Sequence, residues 1–129
     1  LTAYAATFVV LVALDLLWLR YASDAVFRPA VGEMLTEKPN IAAAALFYVF
    51  FTAGLVFFAV TAAMKSASVT TALLNGAFLG FLGYMSFDLT NMAILRLWPV
   101  NLALIDMSWG TFVSGVAAMA GYAAASFKA

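Results

Sequence analysis

The stretch IAAAALFYVFFTAGLVFFAVTAAM, Ile41 to Met64, contains no charged residue. A bilayer hydrocarbon core is about 30 Å thick and takes about 20 helical residues to cross, so this stretch alone predicts a transmembrane helix. Three more runs read the same way: Thr2 to Leu19, interrupted by Asp15; Val69 to Leu95, with only Asp88; and Val100 to Phe127, with only Asp106. Barrel strands would instead alternate apolar and polar residues over about 10 positions. The continuous runs exclude that pattern. The expected fold is all-α, an integral membrane four-helix bundle forming one domain over residues 1–129.

Composition agrees with the spans. Of 129 residues, 67% are hydrophobic and 9% charged, with a mean hydropathy of +1.06. A soluble domain devotes about 25% of its residues to charge, so lipid must solvate most of this surface. Net charge is zero, and the basic residues are scattered. No electrostatic footprint for nucleic acid exists. Cysteine and histidine are both absent, which removes disulfides, thiolate nucleophiles, imidazole catalysis and His- or Cys-based zinc and haem ligation. No cofactor motif and no metal site is read from the chain. The sequence opens on Leu1 and is hydrophobic from the start, so a few native N-terminal residues are expected to precede it, and Thr2 to Leu19 reads as a retained span rather than a signal peptide.

The connections are unequal. Lys65–Ser68 and Arg96–Pro99 are short turns, which makes the second, third and fourth helices antiparallel neighbours. The first connection, Arg20 to Asn40, holds half of all the charges. Within it, Ser23 or Asp24 can cap a short helix, and Pro29 fits its first turn. Val26, Phe27, Ala30, Val31, Met34 and Leu35 recur at helical spacing opposite Arg28 and Glu33, predicting an amphipathic segment in the membrane interface. The membrane face reached at the end of the first helix, side A, carries Arg20, Arg28, Lys38 and Arg96, against Lys65 and Lys128 on side B. The positive-inside rule puts side A in the cytoplasm.

Three acids within hydrophobic spans need a reason, since each costs roughly 2.5–3.5 kcal/mol at a helix centre. With a rise of about 1.5 Å per residue, Asp15 lies about 6–8 Å inside side A, Asp106 about 9 Å and Asp88 about 10 Å. Three helices thus bring a carboxyl group to one layer. Each acid has a companion at i+3 on the same face: Trp18, Asn91 and Trp109 respectively. Tyr84 shares the face of Asp88, Thr90 and Asn101 add polar groups, and Arg20 and Arg96 sit at the mouth as charge partners or gates. The pattern predicts a polar vestibule, open on side A, with Asp15, Trp18, Tyr84, Asp88, Asn91, Asp106 and Trp109 as ligand-binding residues. A purely structural arrangement would pair Arg20 with Asp15 and Arg96 with Asp106, leaving Trp18 and Trp98 as interface anchors. Three acids against two arginines leave one over, either protonated or matched by a cation or polar ligand. Asp88, deepest and roughly two turns from Arg96, is the expected functional acid.

Small residues mark helix contacts. Gly76, Gly80 and Gly83 lie on the third helix, and Gly110, Ser114 and Ala118 form a ladder on the fourth, the pattern that permits close backbone approach in lipid.

The runs Leu14-Asp15-Leu16-Leu17-Trp18-Leu19, Pro39-Asn40-Ile41 through Leu46-Phe47-Tyr48, Asp88-Leu89-Thr90-Asn91, Leu97-Trp98-Pro99 and Asp106-Met107-Ser108-Trp109-Gly110 together resemble the bacterial membrane family known as domain of unknown function 2177. The resemblance spans essentially the whole chain. It implies a multi-pass protein of the bacterial inner membrane and no established activity, so no catalytic residue is taken from it.

Three functions remain open on the residues. A carrier or binding protein for a small polar or cationic ligand, coupled to protons, would use the acids; it would be expected to oligomerise, since four helices enclose little volume. An accessory subunit of a larger membrane complex would use the vestibule as structure. An enzyme acting on a lipid-soluble substrate would use the carboxyls as general acid and base, or with magnesium or manganese; lacking a nucleophile motif, it is the least supported.

Overall fold

The computed structural model describes residues 1–22, 40–96 and 98–128. Four long helices account for almost all of them: α1 (Thr2–Ala22), α2 (Ile41–Ser66), α3 (Val69–Ile94) and α4 (Val100–Lys128). All four are long and apolar enough to cross a membrane. The fold class expected from the sequence is therefore observed, with α1 running three residues past its predicted end at Leu19. The expected amphipathic segment between α1 and α2 lies outside the described residues.

Helix boundaries follow local chemistry. Asn40 caps α2, its side chain accepting from the Ala43 N–H at 3.1 Å, and Ser68 caps α3 by accepting from Thr71 at 3.2 Å. Between α2 and α3 the chain reverses through Ala67, whose φ of 51° lies in the left-handed region; the N–H groups of Ala67 and Ser68 both return to the Ala63 carbonyl. Glycine is the usual residue in such a cap, because a Cβ there costs roughly 1–2 kcal/mol. Part of that gain is offset by the greater freedom of glycine in the unfolded chain. Ala67→Gly should accordingly stabilise the protein by up to about 1 kcal/mol, measurable as a higher midpoint in a denaturing-detergent titration.

The bundle is organised around α4. Of its apolar window, 56% is buried, against 11–22% for the other three helices, which makes it the central helix, with α3 and α1 packed along it. In lipid no hydrophobic force drives helices together, so close packing of small residues must, and α4 supplies them. A Cβ at Gly76 would overlap Ala118, one at Gly80 would overlap the Ser114 side chain and the Gly110 carbonyl, and one at Gly110 would overlap the Tyr84 ring. These contacts step four residues along each helix in opposite directions: 76 with 118, 80 with 114, 84 with 110. The next step of the seam pairs Asp88 with Asp106.

Helix α2 is peripheral and divided. Residues Val56–Val60 form a π-helical turn, which widens the ladder and leaves carbonyls to be satisfied locally. Thr61 donates to the Val56 carbonyl at 2.9 Å, and Asn75 of α3 donates to the Phe58 carbonyl at 3.1 Å. In and just beyond this turn α2 buries Ala59, Val60 and Ala63 against α3 and α4. Before it, the helix leans on α1, tied there by the Tyr4 hydroxyl donating to Val49 at 2.9 Å. It reaches α3 through rings, Phe47 and Phe51 each presenting an edge-on contact to Tyr84 at 6.4 Å. The space between these two helices on side A is therefore not closed by backbone packing.

Candidate functional site

That space is a cavity of about 690 Å³. Helix α1 contributes Asp15, Trp18 and Leu19; α2 contributes Phe47; α3 contributes Gly83, Tyr84, Ser86 and Phe87; the turn before α4 contributes Trp98, and α4 itself Asp106. Its volume falls within the range of about 300–1,000 Å³ usual for small-molecule sites. One chain alone thus borders a ligand-sized space that is open on one side.

The three acids are differently placed. Asp15 and Asp106 are each 6% exposed, and Asp88 is fully buried. Asp15 is fixed by two neutral donors: the Tyr48 hydroxyl donates to Oδ2, and the Trp109 indole N–H donates to Oδ1 at 2.8 Å. Trp109 also stacks on Trp18, with centroids 5.0 Å apart and planes 13° from parallel. Neutral hydrogen bonds, rather than an ion pair with Arg20, hold this acid. At the end of the α3–α4 seam, Asp88 and Asp106 face one another, with the Trp98 indole close to Asp88. Neither oxygen of Asp88 has a hydrogen-bond partner, and the buried indole nitrogens of Trp18 and Trp98 also lack one. Buried polar groups normally find partners, so an orphaned carboxyl next to a second carboxyl is an unusual concentration of unmet demand.

Arg20 and Arg96 are both exposed, and no ion pair joins them to the three acids among the described residues. Of the residues expected from the sequence, Asp15, Trp18, Tyr84 and Asp106 line the cavity. Trp109 supports it through Asp15 and Trp18, and Asp88 lies directly behind Asp106. Asn91 is half-buried outside the lining. The sequence reading missed Tyr48, Phe47 and Phe87, and assigned Trp98 to the interface. Tyr48 left a signal: a phenol in a span without charge, eight residues from Asn40 and so about 12 Å deep, close to the layer of the acids.

No metal-binding group of three or more His, Cys, Asp or Glu occurs among the described residues. Asp15 spends both oxygens on Tyr48 and Trp109, which leaves Asp106 as the free carboxyl on the cavity wall, with Asp88 buried behind it.

Neither a curated protein nor a solved structure matches this chain. One family model does, that described as predicted membrane protein (DUF2177), over residues 1–123. The resemblance read from the acid-bearing motifs thus extends over nearly the whole chain, and the protein is a member of the domain of unknown function 2177 family.

Proposed function

We propose that this protein binds a small cationic or polar ligand in the acidic cavity, and that it carries the ligand across or within the membrane in exchange for protons. The observation that carries this reading is the Asp88 carboxyl: fully buried, without a hydrogen-bond partner, and facing Asp106. Two such carboxyls cannot comfortably both be ionised beside one another. A proton occupies the pair when the site is empty, and a cation displaces it. The family resemblance implies the bacterial inner membrane as the setting.

Among the described residues the titratable groups near this pair are Asp15 from α1 and Tyr84 from α3, with Tyr48 of α2 beside Asp15; none of these can supply a positive charge. Protons and the cation therefore compete for the same oxygens. Cation affinity should fall as pH falls, and binding should release protons. Calorimetry in two buffers of different ionisation enthalpy, on protein in lipid nanodiscs with tetramethylammonium as the probe, measures that release directly. Cation binding with no proton release across pH 5 to 9 would refute the exchange; no saturable binding of any cation would refute the site.

A further inference from the structure

Resting on that cation-binding reading, we infer the class of ligand: a monovalent organic cation carried on an aromatic or other apolar body, its charge at Asp106, with Asp88 behind it, and its body lying in the gap between α2 and α3. The walls differ sharply from the floor. Around the carboxyls stand the faces and edges of Trp18, Phe47, Tyr84, Phe87 and Trp98. A simple hydrated ion would gain nothing from such walls and would lose its water to enter them. An organic cation gains twice, from the ring faces through cation–π attraction and from the carboxyls below.

The rim settles the shape of the remainder. Phe47 is 44% exposed and Phe87 52%, and both border the cavity where α2 is held off α3 by rings alone. Phe87 stands edge-on to Trp98, with centroids 5.4 Å apart. Gly83 lies in the same gap, is exposed and contributes no side chain, so among the described residues the gap between α2 and α3 is open within the span of α3. A ligand with an apolar tail can keep that tail in lipid while its charged end sits at the acids. Small hydrophilic cations have no use for an opening in that direction.

Benzyltrimethylammonium and tetramethylammonium form the matched pair that tests this, since they share a charge and a head and differ by one ring. Trp18 and Trp98 line the cavity, so intrinsic fluorescence of the protein in nanodiscs reports occupancy, with empty nanodiscs correcting for partition into lipid. The benzyl cation should bind at least about tenfold more tightly. That ratio should shrink towards one in Phe87→Ala, which removes a rim ring, and in Gly83→Leu, which fills the gap. Both positions are exposed on α3, and a Cβ at Gly83 meets only the edge of the Phe51 ring, at 3.2 Å. Equal affinities for the two cations, each lost in Asp88→Asn, would overturn the ligand class while leaving cation binding intact. Affinities for both that ignore Asp88→Asn would overturn the underlying reading itself.

Discussion

In Asp88→Asn, the four helices remain packed and cation binding falls by about a hundredfold. The two halves of this expectation have separate causes. Within reach of Asp88 stand the Asp106 carboxyl, with which it shares the proposed proton, and the Trp98 indole, so its replacement removes at most one shared hydrogen bond between α3 and α4. Asparagine has nearly the same shape, and its amide can donate to Asp106 where two carboxyls formerly opposed each other. The stability change should stay within roughly 1 kcal/mol, since no buried partner is orphaned. Binding is different. Asp88 stands behind Asp106, roughly 6 Å from a ligand at the cavity wall, where a unit charge contributes up to about 3 kcal/mol at an effective dielectric of 20, and about 1.4 kcal/mol corresponds to a factor of ten. Asp106 keeps part of the attraction, which brings the loss to around two decades. The proton release that accompanies binding in the parent protein should vanish as well, because one carboxyl alone no longer shares a proton. Far-UV circular dichroism and a detergent-denaturation midpoint check the fold, and tetramethylammonium calorimetry checks the site. Should Asp88→Asn unfold the protein while Asp15→Asn and Asp106→Asn stay folded and lose binding, Asp88 is the structural acid and the assignment fails.

The depth of the acids was legible because helical rise converts residue number into distance: Asp15, Asp88 and Asp106 fall at one level when counted from their helix ends on side A. Their individual roles were not, because those depend on what a neighbouring helix presents. Asp15 looked like the partner of Arg20, five residues away, yet Tyr48 and Trp109 reach it from α2 and α4. In a span, neutral hydrogen bonds satisfy a carboxyl without bringing a second charge out of water, whereas a buried arginine carries its own desolvation cost. Phe47 and Phe87 were invisible as site residues for another reason. Apolar side chains on a membrane helix look alike whether they face lipid or a cavity, and only the π-turn at Val56–Val60 and the lean of α2 distinguish them.

The small-residue ladders held more than their spacing discloses. Gly76 and Gly80 on α3, with Gly110, Ser114 and Ala118 on α4, predict that two helices touch. Once Gly80 is set against Ser114, antiparallel geometry brings Asp88 opposite Asp106 without any further assumption. Packing and chemistry thus share one seam, and the sequence places the acid pair two turns from the closest backbone approach.

A substitution at that approach should therefore damage both. Gly80→Val puts a branched side chain where a Cβ alone would overlap the Ser114 side chain and the Gly110 carbonyl. The Ser114 hydroxyl can rotate, but the Ser114 Cβ and the Gly110 carbonyl are fixed to the α4 backbone and cannot yield unless the helices part. Overpacking of this kind costs about 1–3 kcal/mol when side chains can adjust, and with backbone in the way the upper end is expected here. Gly54→Ala supplies the control: its Cβ would meet only a Leu79 methyl at 3.6 Å, an ordinary contact, and alanine favours the helix by roughly 1 kcal/mol. A denaturing-detergent titration should therefore move in opposite directions for the two variants. The second readout follows the acids. Cysteines replacing Asp88 and Asp106 should cross-link with a short bifunctional reagent in an otherwise unchanged chain, because the seam brings the two positions together. In the Gly80→Val background the same pair should cross-link much more slowly, since parting α3 from α4 at Gly80 also separates them at the end of the seam. Undiminished cross-linking alongside a large loss of stability would mean that the acid pair is positioned by the cavity walls and the turn at Trp98, independently of the glycine contacts.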